Sequence, residues 1–358
     1  LVRNTGTHGF SFIPSLTYLR PSLRIPVKKN ALKNLIRRLG DTILDGKSLG
    51  FSEAVSLLAV NQCDLVDLFA AANRVRHQFL GDQIEFCTII NAKSGRCSED
   101  CRFCAQSAHY TGTCETYAML PVEDMLAAAL DASRRKVQRF SIVTSGRTLS
   151  RKDLKTVCTA SERIREKTPM LVDCSLGFLS ADQAKALKEA GIDRYHHNLE
   201  TAASFFEKVC TTHTFSEKLA TISRVKEAGM SICCGGIMGL GETPEQWLEL
   251  VFQLRDLEVD CIPVNILNAR PGTPLEQETP RPPHAVLKML AITRLIVPRA
   301  EIRLAGGREV NLRDLQSAAF LAGVSGMIVG GYLTTPGRSI EEDNQLIRDL
   351  GLIRVQDG

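Results

Sequence analysis

Three cysteines, Cys97, Cys101 and Cys104, lie in the stretch NAKSGRCSEDCRFCAQSAHY, residues 91–110, with C-x3-C-x2-C spacing. Thiolates are soft ligands, and cysteines crowded this closely read as iron–sulfur or zinc ligation. A structural zinc site takes four ligands, usually from two C-x2-C-like pairs. This loop supplies three and no nearby fourth. Three thiolates on a four-iron cluster leave one iron open to a small-molecule ligand. A zinc or redox loop is the plainer alternative, because a short motif also occurs by chance.

The elements that must position this loop show in the alternation of the chain. From Gln83 onward, short apolar runs alternate with amphipathic ones. Strands are expected at 83–91, 139–144, 170–176, 193–200, 231–237, 261–267, 301–306 and 326–331. Between them lie helical runs such as VEDMLAAALDASRRK, RKDLKTVCTASERIREK, SADQAKALKEAG, FSEKLATISRVKEAG, TPEQWLELVFQLRDL, PHAVLKMLAITRLI and NLRDLQSAAFLAG. Several end in Gly, as helix C-caps do. Eight strand–helix repeats predict an α/β fold, a (β/α)8 TIM-type barrel, with its chemistry at the C-terminal mouth of the strands. The cysteine loop follows the first strand and so falls at that mouth. An open flavodoxin-like sheet competes, but eight units are many for it.

Upstream, ALKNLIRRL after Asn30, EAVSLLAV after Ser52 and LVDLFAAANRVRHQF after Asp64 read as capped helices with apolar residues at helical spacing. Residues 1–40 contain no Asp or Glu but several Arg and Lys. Transit peptides and plain upstream extensions share that composition. The expected organisation is an extension over 1–30, poorly structured, and helices over 31–82. The barrel follows over 83–340, then a C-terminal helix and tail over 341–358.

The chain has 358 residues, 44% of them hydrophobic and 23% charged, as in a soluble globular protein with a sizeable core. No apolar run reaches the ~18–20 residues that span a bilayer. A net charge of +4 is mild for this length and gives no reason to expect nucleic acid as a partner. Twelve cysteines without a clear secretory signal point to reduced cytoplasm and metal ligation over disulfides.

A second cysteine set falls inside the expected strands, one per strand: Cys87, Cys174, Cys233 or Cys234, and Cys261. Strand residues alternate in and out of a barrel, so one inward cysteine from each strand would converge on a second metal cage. Buried cysteines are also common small hydrophobes. Cys63, Cys114, Cys158 and Cys210 lie on expected helices or loops and read as packing or surface residues. Arg303 is a charge in an apolar strand and needs a partner, either a carboxylate or an anionic group inside the barrel. His196 and His197 read as hydrogen-bonded wall residues before acid/base groups.

The cysteine loop, with Phe103 just before its last cysteine, resembles the radical S-adenosylmethionine (SAM) enzymes. KSGRCSEDCRFCAQS, YHHNLET, GMSICCGGIMGLGET, PVNIL, EIRLAGGRE and GGYLTTPG together resemble the biotin synthase family, from about Ile84 to Ile353. That resemblance implies a barrel, usually dimeric, with SAM chelated at the open iron of the loop cluster. It implies reduction by flavodoxin or ferredoxin and cleavage of SAM to a 5′-deoxyadenosyl radical. Sulfur from a second cluster would then close the ring of biotin on dethiobiotin.

Carried onto this chain, the resemblance makes Cys97, Cys101 and Cys104 the ligands of a SAM-binding 4Fe-4S cluster. It places Phe103, Glu200, Lys218, Gly236 and Ile237 at SAM, and Asn198 and Asn265 on the ureido ring. Lys218 stands where the family usually has an arginine near the SAM carboxylate. The usual auxiliary cluster is 2Fe-2S with three cysteines and one arginine. Cys174, Cys233 and Arg303 are matched to three of those ligands, the fourth position is Ser141, and Cys87, Cys234 and Cys261 are extra. The expectation is a four-iron auxiliary cluster on Cys87, Cys174, Cys233 and Cys261, with Cys234 in reserve and Arg303 as charge partner. The competing readings are another radical SAM barrel enzyme, such as a maturase or mutase, and an iron–sulfur electron carrier.

Overall fold

The computed structural model describes residues 31–112 and 114–355. The expected extension over residues 1–30 and its Asn30 cap lie outside the described residues. Ten strands form among the described residues: β1 (Gln83–Lys93), β2 (Arg139–Thr144), β3 (Leu171–Ser175), β4 (Arg194–His196), β5 (Ser231–Cys233), β6 (Gly236–Met238), β7 (Cys261–Ile266), β8 (Glu301–Leu304), β9 (Gly326–Ile328) and β10 (Ile353–Arg354). All of their pairings are parallel, and β9 returns to β1 through Glu85 opposite Gly326, which closes the ring. The eight expected strands are the eight staves of this barrel.

The fifth stave is split into β5 and β6, which both pair with β7. The break follows from glycine. A Cβ on Gly235 would stand 2.0 Å from the Pro263 carbonyl oxygen, and one on Gly236 would stand 2.5 Å from that of Glu200. Only residues without side chains let three backbones meet this closely.

Helices Val122–Arg134, Arg151–Lys167, Ala181–Glu189, Phe215–Glu227, Pro244–Asp256 and Pro283–Ile296 surround the ring close to their expected positions. Ser150, Ser180, Thr214 and Thr243 each accept a backbone N–H three residues on, satisfying donors that a helix start leaves open. The helix expected over 311–323 instead breaks into Arg308–Leu312, a 3-10 turn Arg313–Leu315 and Ala318–Leu321. Arg313 takes φ 52°, outside helical geometry. The Asn311 amide donates to the Leu267 and Gly307 carbonyls and accepts from the Arg281 N–H, pinning the chain before that break.

The upstream helices are Ala31–Leu44, Phe51–Leu57 and Leu65–Leu80. The first packs on the third, which packs on Pro283–Ile296. The second starts ahead of Ser52, at a Gly50 cap whose N–H donates to Glu53 Oε2 at 3.0 Å. At the other end, helix Ile340–Asp349 sends buried Asp343 into a two-pronged pair with buried Arg308, at 3.0 and 2.6 Å. Arg308 Nε also donates to the Tyr332 hydroxyl at 2.9 Å, which fixes the loop after β9 over the mouth. No helix among the described residues is long and apolar enough to cross a membrane.

Candidate functional site

Inside the barrel, the side chains of alternate strand residues stack in layers. The lowest layer is ionic. Arg139 pairs with Glu85 at 2.8 Å, Asp173 at 2.8 Å and Asp193 at 2.7 Å. Arg194 pairs with Glu301 at 2.9 Å and Glu85 at 3.3 Å, and Arg303 pairs with Glu301 at 2.8 Å and with Glu85. Buried charges persist only when paired this fully.

Above that layer lies a cavity of about 400 Å³. Its lower wall is Cys87, Ser141, Asp173, His196, Cys233 and Arg303, and its upper wall includes Asn198, Glu200, Ile237 and Asn265. Cys101, Phe103 and Cys104 form the roof from the cysteine loop, and Tyr332, Leu333 and Thr334 close the side. A smaller cavity of about 190 Å³ at the mouth shares Phe103, Cys104, Ile237 and Asn265.

The cysteine loop is held by its own backbone. The Cys97 N–H donates to the Gln106 carbonyl at 2.9 Å, Ala108 N–H to Cys97 at 2.8 Å, and Cys104 N–H to Cys101 at 3.0 Å. Gly95 and Arg96 take φ 77° and 51°, the sharp turn that brings the loop back over the barrel. Burial pushes the Cys104 thiol up to about 11. Cys101 is raised by its hydrogen bond to Cys210 and then by burial.

On the floor, Cys87, Cys233 and Cys261 are the cysteines around Arg303. Cys261 lies on the inward positions of β7 with Pro263 and Asn265, beneath the cavity, and is the register partner of Cys233. Burial pushes Cys87 up to about 12, with Arg303 pulling the other way. Burial opposes the Arg303 charge, but Cys261, Glu301, Cys87 and Cys233 outweigh it and hold its pKa well above the ordinary value. Arg303 thus pairs with the carboxylates of Glu301 and Glu85 and also lies against the thiols of the floor.

Two expected ligands face elsewhere. Cys174 packs in the hydrophobic layer outside the barrel, opposite Tyr195 in the strand register, while Asp173 and Ser175 point inward. Period-two alternation leaves no choice: with Asp173 inside, Cys174 is outside. Cys234 likewise joins the outer core, and its neighbour Cys233 faces the cavity. Lys218 is also absent from the cavity wall. Its Nζ donates to the Asn198 carbonyl at 3.0 Å from behind.

The remaining wall groups are oriented by backbone. Asn198 Oδ1 accepts the Gly235 N–H at 2.9 Å, and its Nδ2 donates to Glu200 Oε2 at 3.3 Å. Asn265 Oδ1 accepts the Gly306 N–H at 3.0 Å. Glu200 takes φ 71°, and burial raises its carboxyl pKa. His196 Nδ1 is 3.3 Å from Cys233 Sγ, and burial lowers its pKa to about 4. His197 points away and packs edge-on to Phe178.

Sequence reasoning missed Asp173, one residue from the cysteine it favoured. It also set aside Cys210, whose sulfur lies 3.8 Å from that of Cys101 across 109 residues of chain. The C-x2-H spacing of Cys210 and His213 was the available signal.

Comparisons with known proteins give the family. Residues 92–254 match the radical SAM superfamily, and residues 263–353 match the biotin and thiamin synthesis associated domain. The biotin synthase of Geobacter sulfurreducens is 49% identical over 89% of this chain and 97% of its own length. That of Citrifermentans bemidjiense is 46% identical over 90% and 99%. The chain belongs to the biotin synthase family. It is therefore a radical SAM enzyme, and the loop thiols suit the four-iron cluster and SAM on which such enzymes depend. Biotin synthase relatives match almost from end to end, so the barrel and its associated domain are both accounted for. The fold has solved counterparts. Methylornithine synthase superposes with a TM-score of 0.78 at 17% identity, over 88% of this chain and 97% of that one. A FeFe-hydrogenase maturase from Carboxydothermus hydrogenoformans superposes with 0.75 at 19% identity, over 89% and 79%.

Proposed function

We propose that this protein is a sulfurtransferase that converts dethiobiotin to biotin. One observation carries the reading: roof thiols, an asparagine pair and floor thiols line the same cavity. SAM on a cluster held by Cys97, Cys101 and Cys104 supplies hydrogen abstraction, and an auxiliary cluster supplies the sulfur.

The chain's own residues bind and orient. Both asparagine oxygens are occupied by backbone N–H groups, which leaves the Asn265 NH2, and the second N–H of the Asn198 NH2 beside the one given to Glu200, as donors. Two such donors suit the carbonyl oxygen of a neutral urea. Glu200 is placed to accept from ribose hydroxyls, and Phe103 and Ile237 offer an apolar face to an adenine, while Gly236, which lines neither cavity, turns toward Glu200 and Leu250. Lys218, behind Asn198, supplies positive charge without direct contact. The cysteine loop above and Tyr332, Leu333 and Thr334 at the side limit access of water, as reactive intermediates require.

The auxiliary group is proposed to be of four-iron type, held by Cys87, Cys233 and Cys261. Ser141, Asp173 or His196, on the same wall, would supply the fourth ligand, and Arg303 would offset negative charge. Mössbauer spectra containing only a 2Fe-2S signal at this site would overturn that assignment. Flavodoxin or ferredoxin is the expected electron donor, and a cytoplasmic homodimer the expected state.

The test is anaerobic reconstitution with iron and sulfide, then SAM, dithionite and dethiobiotin, followed by mass spectrometry. Biotin should form with about two 5′-deoxyadenosines apiece, one per C–H bond broken. Deoxyadenosine without biotin would keep the radical chemistry and reject the substrate.

A further inference from the structure

Cys101 has a neighbour set that neither the loop motif nor the floor explains. Its sulfur is 3.8 Å from Cys210 Sγ, and Cys210 Sγ is 3.3 Å from His213 Nδ1. The three donor atoms lie within 4.8 Å of one another, and Cys210 and His213 are buried.

The segment carrying Cys210 and His213 is stitched to the cysteine loop. The Arg102 N–H donates to the Val209 carbonyl at 3.0 Å, and Asp100 Oδ1 accepts the Thr211 and Thr212 N–H groups at 2.8 and 3.1 Å. Cys210 Sγ also donates to Asp100 Oδ1 at 3.1 Å. His213 sits against Phe178 and Phe206, with its Nε2 buried and without a hydrogen-bond partner. On its other side Glu99 Oε2 is 2.5 Å from Nδ1, and Arg147 anchors that carboxylate at 3.0 Å.

Zn–S bonds of about 2.3 Å in a tetrahedron put two sulfurs about 3.8 Å apart, and a Zn–N bond of about 2.0–2.1 Å puts nitrogen about 3.6 Å from sulfur. The observed edges of 3.8 and 3.3 Å are close to that figure. Two thiols and an imidazole are also donor types that zinc takes.

We propose that, while the loop carries no iron–sulfur cluster, Cys101, Cys210 and His213 bind one thiophilic divalent cation of the Zn2+ class, with water as the fourth ligand. Zn2+ displaces the protons of both thiols, which leave to solvent. The His213 proton moves from Nδ1 to Nε2, and Glu99 Oε2 keeps the bonds it accepts from Arg147 and Thr212. No electrons are transferred. Cys101 cannot serve this ion and the cluster together, so zinc holds the loop closed until the cluster is built. That last step rests on Cys101 being a cluster ligand, as proposed above.

The experiment uses the full chain, stripped of iron and kept anaerobic and reduced, titrated with Co2+. One equivalent should give thiolate-to-cobalt charge-transfer bands and the visible bands of tetrahedral cobalt, bleached by Zn2+. Cys210→Ser and His213→Gln should each weaken binding at least about tenfold, as loss of a ligand does, while Cys97→Ser and Cys104→Ser leave it unchanged. Absence of thiolate bands would overturn the site, and so would their loss in Cys97→Ser or Cys104→Ser with retention in Cys210→Ser and His213→Gln. In a second arm, zinc-loaded wild type should rebuild its cluster chromophore at least tenfold more slowly than zinc-free wild type, with no such difference in Cys210→Ser. Equal rates in wild type would overturn the exclusion of cluster by zinc, and with it the shared use of Cys101, while leaving the cobalt result to stand.

Discussion

At the mouth of the barrel, three thiols share one short loop, and their spacing is a property of consecutive backbone. At the floor, Cys87, Cys233 and Cys261 come from β1, β5 and β7, and only strand register brings them together. The mouth set is partly exposed and fixed by loop hydrogen bonds. The floor set is buried over a layer of paired charges. A local ligand set can therefore be read from spacing, whereas a convergent one also depends on which way each strand residue faces.

The sharpest way to break this comparison is to separate the two half-reactions. Cys97→Ala should reduce both SAM cleavage and biotin formation to background. Cys233→Ala should keep SAM cleavage and lower biotin formation at least about a thousandfold, equivalent to about 4 kcal/mol. Cys174→Ala should retain biotin formation within about twofold and cost about 1–2 kcal/mol of stability, as a buried side chain truncated in the outer core does. Loss of biotin formation in Cys174→Ala would put that cysteine back inside the barrel.

The next effect is on stability. Arg139→Met leaves Glu85 and Asp173 without a shared buried partner and should destabilise the chain by about 3–5 kcal/mol. Arg147→Met, near the mouth and a third exposed, should cost under about 1 kcal/mol. Urea unfolding midpoints of the two variants would measure the contrast.

Smaller effects sharpen the wall. Asn265→Ala should raise KM for dethiobiotin roughly 5- to 30-fold, the equivalent of about 1–2 kcal/mol for a lost polar contact, with a smaller change in kcat. Last comes pH. Burial holds the His197 pKa well below its ordinary value. The unfolded chain then binds a proton that the folded one refuses, so stability falls as pH drops below the unfolded value near 6.5. His197→Phe should flatten that acid slope between about pH 6.5 and 5 in thermal unfolding.

The fold was largely legible because hydrophobic period and helix punctuation repeat eight times. Ser180, Thr214 and Thr243 with their partners three residues on mark starts where the structure has them. The break around Arg313 was not legible, since tertiary bonds to Asn311 override a helical composition. The loop thiols and the two asparagines were legible from motif. Asp173 and Cys174 were not distinguished, because both strand faces are buried and polarity no longer marks the inside. Cys210 and His213 escaped because their partner lies far away in sequence.

The ionic layer under the cavity has a consequence for traffic. Interlocked arginines and carboxylates fill the N-terminal end of the barrel, so matter passes through the mouth alone. Whatever the floor thiols hold must go in first, followed by the substrate and then the cosubstrate beneath the cysteine loop. A sulfur source consumed at the floor can be replenished only after everything above it has left. Turnover is thereby tied to emptying the barrel, and repair competes with catalysis for one doorway.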